Sequence, residues 1–180
     1  MRTIIAIMII LAFAMPVIAE EISVDIDRIA LLTPSSIDRA SESSQIAVFF
    51  EMPVEVEGAN VFYSEIIINL DFSSIDIVGD DKIELQARNI TESWSAEDAN
   101  WNSLADDIDT LSFYTYTFDM DDDTEIHLDV TMFVMDVVQG NTSNFGLMLI
   151  PHKFDQWAYQ IDPSIVSQIG ANARLRIVYD

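Results

Sequence analysis

The chain is 180 residues long, with 31 acidic against 8 basic residues, a net charge of −23 and no cysteine. So much negative charge excludes nucleic acid and anionic lipid as partners, because their phosphates would be repelled. The missing cysteines exclude a disulfide framework and leave a zinc site only two histidines to build on.

The amino terminus reads as a secretory signal. Arg2 supplies a small positive region, the apolar run Ile4–Met15 follows, Pro16 breaks it, and Val17-Ile18-Ala19 precedes Glu20-Glu21. The uncharged stretch from Thr3 to Ala19 is shorter than the roughly 20 residues of a bilayer span. We therefore expect cleavage after Ala19, no membrane span in the mature chain, and a secreted, periplasmic or cell-surface location. Residues 20–180 are long enough to bury the core of one domain.

The remainder predicts strands. Ile22, Val24 and Ile26 alternate with polar residues, the period-two mark of a half-buried strand. A polar loop follows from Thr33 to Ser44. A second strand is expected over Gln45–Val56, then a turn at Glu57-Gly58-Ala59-Asn60. A third strand is expected over Val61–Phe72, with Phe62, Ile66, Ile68, Leu70 and Phe72 on one side and Glu65, Asn69 and Asp71 on the other. Gly79-Asp80-Asp81 predicts a turn and Lys82–Glu92 a strand. Trp94–Asn102 is irregular or a short helical turn. Leu111–Phe118 and Thr124–Val130 predict strands. At Thr131–Gln139 the pattern changes: Phe133, Val134, Val137 and Val138 form a helical stripe that Gly140-Asn141 ends. Phe145–Ile150, Gln156–Ile161 and Ala173–Tyr179 complete the strands, with Pro163–Gly170 as a linker that can hold one helical turn. Many short strands without a βαβ rhythm predict an all-β, antiparallel β-sandwich of jelly-roll type with one short helix.

Several segments, in order, resemble the DNRLRE-type (disaggregatase-related) family. They are Ile46-Ala47-Val48-Phe49-Phe50, Ser64-Glu65-Ile66-Ile67-Ile68, Ile90-Thr91-Glu92-Ser93-Trp94 with Ala99-Asn100-Trp101-Asn102, Leu128-Asp129-Val130-Thr131 through Gly140, Phe145-Gly146-Leu147, and Arg174-Leu175-Arg176-Ile177-Val178-Tyr179. The resemblance spans residues 44–180. It departs in lacking a Gly-rich opening over 21–43 and in carrying Val137-Val138 where the family has a tryptophan. It implies a secreted, non-catalytic β-sandwich that is similar to carbohydrate-binding modules, with polysaccharide or a cell-surface component as partner. A structural envelope or matrix protein that self-associates is the competing reading.

Candidate binding residues are few. Trp157 and Tyr159 share one strand face and, with Tyr114 and Tyr116, could form an aromatic platform for sugar rings; the plainer reading is core. Trp94 and Trp101 read as core or loop anchors. Arg174 and Arg176 share a face and could hold an anionic group such as a uronate, or pair with neighbouring acids. Asp119, Asp121, Asp122, Asp123 and Glu125 form an acidic run whose oxygens could wrap calcium, or simply a solvated turn. Asp106, Asp107 and Asp109 are a second, sparser acidic group. His127 is expected to point outward from a strand and His152 to lie in a loop. Asn89-Ile90-Thr91 and Asn141-Thr142-Ser143 are glycosylation sequons. No nucleophile elbow or phosphate loop is present, so no catalytic residue is assigned.

Overall fold

A computed structural model describes residues 18–34, 44–70, 82–104, 106–119, 123–153 and 163–180. The expected signal segment, the turn at 79–81, Phe72, Asp121, Asp122 and the strand with Trp157 and Tyr159 lie outside the described residues.

The expected sandwich is there. Nine strands are described: β1 (Glu20–Asp25), β2 (Arg28–Leu32), β3 (Gln45–Phe49), β4 (Val61–Asn69), β5 (Lys82–Asn89), β6 (Tyr114–Asp119), β7 (Glu125–Asp129), β8 (Leu147–Lys153) and β9 (Ala173–Tyr179). Three short helices join them: α1 (Trp101–Leu104), α2 (Thr131–Val138) and α3 (Pro163–Ala171). One sheet has the order β1-β9-β4-β7 and the other β2-β3-β8-β5-β6, antiparallel throughout. Each sheet interleaves early and late strands, the double Greek-key winding of a jelly roll. The chain changes sheets at Ile26–Asp27, where the Asp27 N–H bonds to Phe49 O at 2.9 Å.

The main core lies between the sheets. Ile66, Ile68, Ile126, Leu128, Leu175 and Ile177 from the four-stranded sheet face Ile46, Val48, Leu85, Leu147 and Leu149 from the five-stranded one. A second, smaller core covers the outer face of the five-stranded sheet. There the excursion between β5 and β6 lays Ile90, Trp101 and Leu104 over Ala30, Leu32, Ala47 and Met148. Trp94 Nε1 donates to Phe145 O at 2.7 Å, pinning the excursion to the strand it covers. Both tryptophans are therefore anchors.

Several expectations needed correction, each for a local reason. β2 escaped sequence reading because Ile29, Ala30, Leu31 and Leu32 are all apolar, so no polar alternation marks the strand even though Ala30 and Leu32 are buried while Ile29 and Leu31 stay exposed. β3 stops at Phe49, and Pro53 leads into a 3-10 turn at Val54–Val56 instead of more strand. Leu111 to Phe113 are not strand, because Asp109 Oδ1 takes the N–H groups of Leu111 (2.8 Å) and Ser112 (3.4 Å) in an Asx turn. Pro163–Gly170 is not a linker but most of α3, whose Gly170 sits against Ile29 and Ile46. His152 lies on β8, buried, rather than in a loop.

β4 held the largest surprise. Its pairing with β9 skips Phe62, a bulge between Val61 and Tyr63. The bulge brings Val61 into the core and turns Phe62 outward to 51% exposure. Glu65, expected on the solvated face, is 3% exposed.

The Asp-Val-Thr segment joins β7 to α2. Asp129 Oδ1 accepts the Thr131 N–H at 2.9 Å, and Thr131 Oγ1 accepts the Ser64 N–H from β4 at 2.9 Å. The turn is thereby tied to the sheet it leaves. Gly140, at φ +73°, ends α2 as expected.

Candidate functional site

Two surfaces gather chemistry-bearing side chains. The first is the outer face of the four-stranded sheet. Pairing places Arg176 and Asp129 on either side of Glu65, and Arg174 and His127 on either side of Ile67. The side chains form an arc of polar contacts around Ile67, which with them lines a shallow hollow. Arg176 Nη2 meets Glu21 Oε2 at 2.9 Å and its Nη1 meets Glu65 Oε1 at 2.9 Å. Glu65 Oε2 accepts the Tyr63 hydroxyl at 2.8 Å and lies 3.1 Å from His127 Nδ1. His127 Nε2 is 3.1 Å from Glu125 Oε2, and Glu125 Oε1 is 3.7 Å from Arg174 Nη2.

Burial would raise the Glu65 carboxyl, but hydrogen bonds with Tyr63, His127 and Arg176 outweigh it and hold Glu65 below the usual carboxylate range. Burial and the same hydrogen bond push Tyr63 up to about 12. The Glu21 and Glu65 carboxylates, in turn, raise Arg176. Of the two readings of Arg174 and Arg176, the structure thus shows the paired one: their carboxylate partners come from this chain.

The second surface is the end of the sandwich where the β5–β6 excursion, β6 and α2 meet. Leu111, Phe113 and Met132 are exposed there to 89%, 52% and 58%. They line a hollow of about 530 Å³ together with Asp109, Tyr114 and Asp136. Asn89 and Thr142 complete its rim and, with Asp109 and Leu111, also line a neighbouring hollow of about 400 Å³. The Arg88 guanidinium stacks on Phe113, 5.0 Å from the ring centre, while its N–H groups bond to Gln86 Oε1 and to the carbonyls of Asp109 and Thr110. The Leu111 N–H hydrogen bond, helped by Ser112 and Arg88, holds the Asp109 carboxyl below its ordinary range despite some burial. Burial raises the Tyr114 hydroxyl, and the carboxylates of Asp136, Asp109 and Asp129 raise it further. Tyr114 is accordingly a protonated hydrogen-bond donor surrounded by negative charge.

Among the described residues, Tyr114 and Tyr116 are not brought together with Arg174 and Arg176. Tyr114 and Tyr116 alternate with exposed Thr115 and Thr117 and share the inward face of buried Phe118, packing at the core's margin. They form no outward platform, and they belong to the opposite sheet from Arg174 and Arg176. Trp157 and Tyr159 lie outside the described residues. In the acidic run, Asp123 Oδ2 accepts the Asp119 N–H at 2.8 Å, closing the turn, while Glu125 belongs to the arc on the four-stranded sheet. Asp121 is outside the described residues. Among the described residues no group of three or more histidine or acidic side chains is placed to hold a metal ion.

Sequence reading missed Asp109, Leu111, Phe113, Met132 and Asp136 as a group. One signal was there: Met132 is apolar yet falls beside the Phe133, Val134, Val137 and Val138 stripe, on the side of α2 that the core does not need.

No protein-family model matches the chain, and no curated protein matches it in sequence. Among the described residues no helix is long and apolar enough to cross a membrane.

Proposed function

We propose that the chain is a non-catalytic carbohydrate-binding β-sandwich of the DNRLRE type, exported from the cell, and that its ligand lies in the hollow beside Phe113. The observation that supports this reading is the group of Leu111, Phe113 and Met132, side chains that a sandwich would bury if it could, held open around a rim of hydrogen-bonding groups. A sugar ring has the matching character: C–H faces that pack on apolar and aromatic surface, and hydroxyls at its edge that exchange hydrogen bonds with carboxylates, amides and hydroxyls.

Glycan-array binding of residues 20–180, with calcium and with EDTA, tests the reading. Binding that Phe113→Ala abolishes, with an unchanged melting temperature, is the expected result. Binding indifferent to Phe113 would move the site elsewhere, and a calcium-dependent response would direct attention to Asp119, Asp123 and Glu125. The competing reading, self-assembly, is favoured by one observation: β2, whose outer edge pairs with no strand among the described residues, leaves Ile29 and Leu31 exposed beside that edge. Sedimentation velocity over a concentration series would show association if β2 pairs with a second copy.

A further inference from the structure

We propose that the hollow beside Phe113 prefers a cationic amino sugar, a hexosamine chain with free ammonium groups, over neutral and over uronate chains; this rests on the glycan-binding reading above. The hollow itself presents Asp109 and Asp136, and Asp129 stands close enough to act on the same Tyr114 hydroxyl. Acceptors and negative charge therefore dominate, and an ammonium group, which carries three donors and no acceptor, matches them. Arg88, which stacks on Phe113, has its N–H groups engaged by Gln86 and two backbone carbonyls, so among the described residues no free cationic fork there awaits a carboxylate.

On the four-stranded sheet, among the described residues, Arg174 and Arg176 already face the carboxylates of Glu125, Glu65 and Glu21. A uronate would meet like charge here and across a molecule carrying −23 overall. A polycation would be drawn toward the hollow by the same field. The apolar floor of Leu111, Phe113 and Met132 then decides that the cation is carried on a ring with C–H faces rather than on a flexible chain.

Calorimetric titration of the full chain with oligomers of glucosamine, N-acetylglucosamine and guluronate, at mildly acidic pH and in low and high salt, tests this. The expected result is about tenfold tighter binding of the glucosamine oligomer than of its acetylated counterpart, as two or three partly screened charge pairs would give. Guluronate should not bind, and the preference should shrink as salt rises. Asp136→Asn, which keeps the shape and the Oδ1 acceptor that Asn141 Nδ2 approaches at 3.2 Å, should reduce the preference several-fold without weakening the acetylated oligomer. Phe113→Ala should weaken both.

Equal or tighter binding of the acetylated oligomer, still dependent on Phe113, would overturn the charge preference and leave glycan binding standing. Glucosamine binding untouched by both variants would be diffuse attraction to an acidic surface and would overturn the site. Failure of all three oligomers to bind would overturn the amino-sugar proposal; failure across the whole glycan array would remove the reading beneath it.

Discussion

The two sheets use their outer faces in opposite ways. The five-stranded sheet hides its face beneath the β5–β6 excursion, with Trp101 and Leu104 sealing a second apolar core. The four-stranded sheet leaves its face open and occupies it with the arc of Glu21, Arg176, Glu65, His127, Glu125 and Arg174. One face is held by the removal of apolar area from water, which is non-directional and tolerant of small shifts. The other depends on directed bonds among side chains of differing exposure, so its members should differ widely in importance. Covering a face also costs an excursion of some length, and the exposed Leu111 and Phe113 lie at the end of that excursion.

The largest effect should come from the covered face. Trp101→Ala empties a nearly enclosed site and is expected to cost about 3–5 kcal/mol in urea unfolding. Because Trp101 Nε1 is buried with no hydrogen-bond partner among the described residues, Trp101→Phe should cost far less, about 1 kcal/mol. If the two variants are equally destabilised, the excursion is held by something other than apolar burial.

Next comes the centre of the open face. Glu65→Ala leaves Tyr63, His127 and Arg176 without the carboxylate they share, at an expected cost of about 2–3 kcal/mol. The same residue predicts an acid dependence. Its carboxyl titrates lower in the folded chain than in the unfolded one, so its contribution is fully present above the ordinary glutamate value of about 4.3 and is lost as pH falls through the lower folded value. The stability gap between the parent and Glu65→Gln should therefore narrow on acidification below that range; a gap that stays constant down to strong acid would show that Glu65 is not held as the ionised form.

The smallest effect belongs to the rim of the same face. Arg174 reaches Glu125 only at 3.7 Å and is about half exposed, so Arg174→Ala should change stability by no more than about 0.5 kcal/mol. A loss comparable to that of Glu65→Ala would mean that the arc acts as one cooperative network.

This difference between faces also explains what could be read from the sequence. β1, β7 and β9 alternate cleanly, because one side of each meets the core and the other is polar, and each was legible. β2 was not, since Ala30 and Leu32 are buried under the excursion while the half-exposed Ile29 and Leu31 are apolar as well, leaving no alternation of polarity to read. Glu65 misled for a different reason: its burial arises from pairings with residues more than 60 positions away, which no local pattern encodes. The helix at Thr131–Val138 was legible down to its terminating glycine. The hollow beside Phe113 was not, because its members come from three segments that only the jelly-roll winding brings to one end. Asp109 did stand in a noted acidic group, but its bonds to Leu111 and Ser112, which keep β6 from starting before Tyr114, need coordinates to see.

The position of β9 has a consequence for how the chain acquires its structure. β9 lies between β1 and β4, with Glu20 opposite Tyr179 and Ile66 opposite Leu175. The four-stranded sheet therefore cannot close until residues 173–179 have been synthesised, and β1, made first, must wait for a partner made last. Such sequence-distant pairing slows folding toward milliseconds or longer. During that interval the backbone edge of β4 that β9 later takes is unpaired. A chain interrupted before residue 173 would keep Ile66 and Ile68 beside a vacant strand position, so the final seven-residue strand governs whether a nascent molecule matures or aggregates.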